Sequence, residues 1–170
     1  EMRESDWSSD VCSSDLLNTK KRLDKLYRLK KRVFESTPSE ISSSFKETML
    51  EALSDDLNIS KALAALDEMI SYANEMLDAN PKDKAFKATT HANLIWIEAL
   101  LGIGLYNPYA YFQIGISNVE KIEIEALIVE RTRAKKAKDF AKADEIRTLL
   151  EARNIQLMDT ATGTQWEKVN

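Results

Sequence analysis

The chain has 170 residues, of which 44% are hydrophobic and 31% charged, with only four glycines and three prolines. This is the composition of a helix-rich globular chain with material for a buried core, and it excludes a disordered or low-complexity polymer. No apolar run reaches the ~20 residues that cross a bilayer, no basic start leads into an apolar stretch as in a secretory signal, and a single cysteine, Cys12, cannot form an internal disulfide, so a cytoplasmic protein is expected.

Residues 1–16 stand apart. Asp6-Trp7-Ser8-Ser9-Asp10-Val11-Cys12-Ser13-Ser14-Asp15-Leu16 has neither a helical nor a strand period and resembles the conceptual translation of a sequencing-adapter oligonucleotide, the alternative being a disordered acidic tail. Setting it aside removes five acids and one base and leaves a body balanced at 23 acidic and 23 basic residues. Attraction to nucleic acid then has to come from local patches. Two exist: Lys20, Lys21, Arg22, Lys25, Arg28, Lys30, Lys31 and Arg32 early in the chain, and Arg131, Arg133, Lys135, Lys136 and Lys138 later. Taken alone, each also fits a solvated helix face.

Leu23, Leu26, Tyr27, Val33 and Phe34 space out one apolar stripe on a basic first helix from Leu17 to about Glu35. Thr37-Pro38-Ser39-Glu40 reads as a capping box with proline at the first helical position, opening a second helix through Ile41, Phe45, Met49 and Leu53. Asn58 is placed to cap a third helix whose seam is Leu63, Leu66, Ile70, Ala73 and Leu77. After Asn80-Pro81 a fourth helix runs from about Lys82 to Leu101; it is apolar on nearly all sides near its end, which makes it the expected central helix. Gly102 and Gly104 end it, and the rings of Tyr106, Tyr109, Tyr111 and Phe112 follow, read as covering the end of the bundle. Ser117-Asn118-Val119-Glu120 caps a helix to about Lys138, and Asp139 caps another that ends near Asn154. Ile155, Leu157 and Asp159, a turn Thr160-Ala161-Thr162-Gly163, then Thr164, Gln165 and Trp166 form a small hairpin that has to pack on the preceding helices. The expected fold is mainly α: an antiparallel helical bundle over 17–115, then a helix pair and C-terminal β-hairpin over 116–170.

Catalytic chemistry is hard to assemble. The single histidine, His91, lies within a helix with no second histidine or nearby cysteine to share a metal or a proton. No glycine-rich phosphate loop follows a strand, and a Ser-His-Asp set would have to recruit His91. Residue chemistry alone describes a helical binding module.

The last third is more specific. Arg131-Thr132-Arg133-Ala134-Lys135-Lys136-Ala137-Lys138-Asp139-Phe140-Ala141-Lys142-Ala143-Asp144-Glu145-Ile146-Arg147, with Asn154-Ile155-Gln156-Leu157-Met158-Asp159-Thr160 and Gly163-Thr164-Gln165-Trp166, resembles the C-terminal signature of cysteinyl-tRNA synthetases. Asn154 stands where that family usually has glycine, and both residues tolerate a left-handed cap. Ala52-Leu53-Ser54-Asp55-Asp56-Leu57-Asn58-Ile59-Ser60-Lys61-Ala62-Leu63 is similar to the family's Met-Asp-Asp-Asp-Phe-Asn-Thr-x-x-Ala-Leu stretch, so the likeness extends from about Leu17 to the end. The family's His-Ile-Gly-His and Lys-Met-Ser-Lys-Ser motifs have no match here. The resemblance therefore implies a fragment that is inactive alone, with no cofactor of its own. ATP, magnesium and zinc are expected only for the full-length parent.

What the resemblance implies is a bundle lying along tRNA and a tail module at the cysteine anticodon, with tRNA and the catalytic domain of the same enzyme as partners. Its site residues are then Arg131, Arg133, Lys135, Lys136, Arg147, Asp159 and Trp166. The cations neutralise phosphates, and Trp166 either stacks on an unpaired base or anchors the hairpin. Asp159 either accepts from a base edge or, as the favoured reading, braces the turn through Thr160. Glu167 stands where family tails often carry a base. The competing function is a helical protein-interaction module using the apolar and aromatic loop surface.

Overall fold

The computed structural model describes residues 9–160 and 163–169, with side chains from residue 16 onward. The centre of the hairpin turn, Ala161-Thr162, lies outside the described residues. Those described form seven helices and one two-stranded antiparallel sheet, the mainly α architecture expected. Contacts divide the chain into two units, Glu1–Leu105 and Tyr106–Asn170.

The first unit holds α1 (Ser9–Val33), α2 (Ser43–Ser54), α3 (Ile59–Ala79) and α4 (Lys84–Leu101). α1 packs on α3 and α4, and α2 packs on α3. Leu29, Val33, Met49, Leu66, Ile70, Leu77, Leu94 and Ile97 are fully or almost fully buried, each stabilising by up to about 1.5–3 kcal/mol through lost apolar surface. Asn58 and Asp83 cap α3 and α4 by accepting from the backbone N–H groups of Lys61 and Phe86.

Several sequence expectations are corrected. α1 begins at Ser9 rather than Leu17, so the helical backbone continues into the segment that shows no apolar period. Leu16 and Leu17, where side chains are first described, are 66% and 58% exposed. α2 starts at Ser43 and not at Pro38. Residues 36–42 instead strap along α4: Ser39 N–H donates to Ala88 O at 3.1 Å and Ser42 N–H to Asn93 Oδ1 at 2.9 Å. These long-range bonds outweigh a local capping signal. α4 is not buried all round, since Thr90, Asn93, Leu94 and Ile97 form one buried face while Ile95 is 42% exposed. Lys30, counted in the basic patch, is buried and gives its ammonium to Glu98 Oε1 at 2.6 Å and Gly104 O at 2.7 Å. Arg22 and Arg32 of the same helix pair with Asp67 and Asp78.

The second unit contains α5 (Pro108–Tyr111), α6 (Asn118–Lys136), α7 (Phe140–Ala152), β1 (Ile155–Thr160) and β2 (Gly163–Lys168). The aromatic stretch belongs to this unit rather than to the bundle. Asn107 caps a single turn at α5, Gln113 Nε2 donates to Trp166 O at 3.0 Å, and Lys168 N–H donates to Phe112 O. The division therefore falls before Tyr106 and not at 115/116. Ile116, Ile124, Ile146, Leu150, Ile155 and Trp166 form the core.

Candidate nucleic-acid interface

Strand register sets what the hairpin turns inward. Leu157 pairs with Trp166 and Asp159 with Thr164, and alternation puts Ile155, Leu157, Asp159, Thr164 and Trp166 on one face. The apolar members of that face meet α6 and α7; its far end is polar. There Asp159 accepts from Arg131 Nη1 at 3.1 Å and Nη2 at 3.3 Å, from Lys135 Nζ at 2.8 Å and from Thr164 Oγ1 at 2.8 Å. The Arg131 guanidinium first, then Lys135 and Thr164, hold the Asp159 carboxyl well below the ordinary carboxylate range.

This geometry redistributes the roles read from the sequence. Arg131 is 5% exposed, and its guanidinium is paired with Asp159. Trp166 is 4% exposed and packs in the core, the position an anchor would take. Asp159 is a brace, as favoured, but through Arg131, Lys135 and Thr164; the Thr160 hydroxyl donates to Gly163 O. Arg147 pairs with Glu151 one turn along α7 at 2.8 Å. Arg133 and Lys136 are exposed and form no ion pair with a described residue.

The α6–α7 turn supplies what the sequence reading missed. Ala137 N–H bonds to Arg133 O, Lys138 N–H to Lys135 O and Asp139 N–H to Ala134 O, the last two being the paired bonds of a Schellman cap. That cap needs a left-handed residue, and Lys138 fills it with φ 62°, a conformation that favours glycine. Asp139 then accepts from Lys142 N–H and starts α7. The first residue of α7 is Phe140, 62% exposed. An exposed ring thus sits in a turn carrying Arg133, Lys135, Lys136 and Lys138. The signal in the sequence was an aromatic at the first helical position between two cationic stretches, where burial has no periodic claim on it.

No group of three or more His, Cys, Asp or Glu side chains among the described residues is arranged to hold a metal ion, and His91 commits Nδ1–H to Ser36 O at 2.6 Å. No helix among them is long and apolar enough to cross a membrane.

The model of the DALR domain matches residues 49–106. The chain is 56% identical over 154 residues to the cysteine–tRNA ligase of Wolinella succinogenes, a match covering 91% of this chain and 33% of that protein. This chain is homologous to a portion of the cysteine–tRNA ligases. The ligase of Sulfurovum sp. is likewise 56% identical over 154 residues, and that of Helicobacter pylori 58%, again with 91% of this chain and 33% of each ligase covered. The chain thus spans about a third of the length of the curated cysteine–tRNA ligases it matches. The likeness to these ligases reaches into both units, because a match covering 91% of the chain exceeds either one.

Proposed function

We propose that the chain is the tRNA-binding, C-terminal portion of a cytoplasmic cysteinyl-tRNA synthetase, and that its second unit receives the unpaired anticodon of cysteine tRNA on the α6–α7 turn. The observation that carries this reading is Phe140, 62% exposed at the start of α7 among exposed cations. Every base has a π-face, and stacking one on such a ring is worth ~1–3 kcal/mol. Arg133, Lys136 and Lys138 supply phosphate neutralisation, and the Asp159 cluster fixes the hairpin beside them. Cysteine activation with ATP, magnesium and zinc belongs to the catalytic domain of the parent, the partner that this portion would serve.

Binding of a labelled anticodon stem-loop of cysteine tRNA tests the reading. Phe140→Ala should weaken binding roughly ten-fold or more while Phe140→Trp retains it. Log affinity should fall against log salt with a slope of about −2 if three phosphates are neutralised. Salt-independent binding, or binding indifferent to Phe140→Ala combined with Lys136→Ala and Lys138→Ala, would refute this site and favour an apolar protein interface.

A further inference from the structure

The first unit contains a cavity of about 470 Å³ lined from α2, α3, α4 and the strap before α2. That is within the range of small-molecule sites, about 300–1,000 Å³. Three aromatic residues line it, Phe45, Tyr72 and Phe86, the last two in edge contact with centroids 6.0 Å apart. Glu68 is the one charged residue on the wall, a helical turn before Tyr72 on α3. Two polar residues reach the wall from α4 while almost wholly buried: Thr90 at 2% and Asn93 at 5% exposure. Asn93 spends its carbonyl oxygen on Ser42 N–H at 2.9 Å. Neither its amide nitrogen nor the Thr90 hydroxyl bonds to a described residue. Both face the open cavity and can donate to a ligand there.

We propose that this cavity binds a small aromatic amine bearing a carbonyl group. The ammonium pairs with Glu68, the ring packs against Tyr72 and Phe86, and the carbonyl oxygen accepts from Asn93 Nδ2 and Thr90 Oγ1. Charge decides the class. The wall carries one carboxylate and no cation, and aromatic faces also attract positive charge. An anionic ligand would face Glu68 with nothing to offset the repulsion. The site is independent of the RNA-binding edge, since every lining residue belongs to the first unit.

The full chain is titrated with phenylalaninamide at about pH 6, where an α-amine is protonated, and followed by amide chemical shifts. Two probes run beside it: 3-phenylpropanamide, which keeps ring and carboxamide without the ammonium, and N-acetylphenylalanine, which is anionic. Saturable shifts should appear at Tyr72, Phe86, Thr90 and Asn93, with 3-phenylpropanamide roughly five-fold weaker and N-acetylphenylalanine weaker still. Glu68→Gln, at an exposed position that folding does not require, should erase the difference between the two amides. Thr90→Val, which keeps side-chain shape, should weaken both. The proposal is overturned if no saturable shifts occur at those residues, if the anion binds as tightly as the amine, or if Glu68→Gln leaves the order of affinities unchanged.

Discussion

Replacing Trp166 by Ala separates a core anchor from a base-stacking platform. Trp166 is 4% exposed and packs with Ile116, Ile124, Ile146, Leu150 and Ile155. Truncating a buried aromatic of this size costs about 3–5 kcal/mol, because transfer free energy and a residual cavity add. Residues 106–170 form a small unit, and at typical stabilities per residue it has about 3–10 kcal/mol in total. The substitution should therefore remove between about a third and all of that stability. Hydrogen exchange followed by mass spectrometry reads the two units separately: protection should collapse across α6, α7, β1 and β2, while α3 and α4 exchange as before. Trp166→Phe should restore much of it, since a ring still fills most of the space. Retained protection in β1 and β2 after Trp166→Ala, with a selective loss of RNA affinity, would refute the anchor role and return the ring to the surface.

Asp159→Asn strips Arg131 and Lys135 of their carboxylate, and the near-complete burial of Arg131 makes this matter. Because the Asp159 side chain is itself 53% exposed, the cost should fall between a buried and a surface pair, about 1–3 kcal/mol by denaturant unfolding of the second unit. Asp159 titrates below its ordinary value when folded, so its stabilisation is complete above about pH 4 and is lost as pH falls further. In the Asn variant that acid dependence should flatten. Lys138→Gly relieves a left-handed lysine and should raise thermal stability by about 1 kcal/mol while lowering RNA affinity and its salt slope; a loss of stability would mean the side chain supports the turn. Lys30→Met leaves Glu98 without its buried partner and should destabilise the first unit by about 2–4 kcal/mol in urea, with Glu98→Gln in the same chain recovering part of the loss.

Most of the helices and several of their caps were written in the sequence, because the forces that specify them act over three or four residues. Asn58, Ser117 and Asp139 each accept from the backbone N–H three residues on, and of the seam Leu63, Leu66, Ile70, Ala73 and Leu77 all but the half-buried Leu63 are buried as the spacing required. The hairpin, with Asn154 left-handed at φ 59° before it, also follows from local preferences. Tertiary structure decided whatever depended on residues far apart in the chain. The strap at 36–42 bonds to α4 across about fifty positions and cancels the local start signal at Pro38. Charge type could not tell Lys30 and Arg131 from their exposed neighbours, since a cation enters a core only where a distant Glu98 or Asp159 meets it. The same limit exchanged the two aromatic roles: Trp166 lies on the inward face because its register partner Leu157 does, while Phe140, at a helix start with no strand or seam to cover it, stays in solvent.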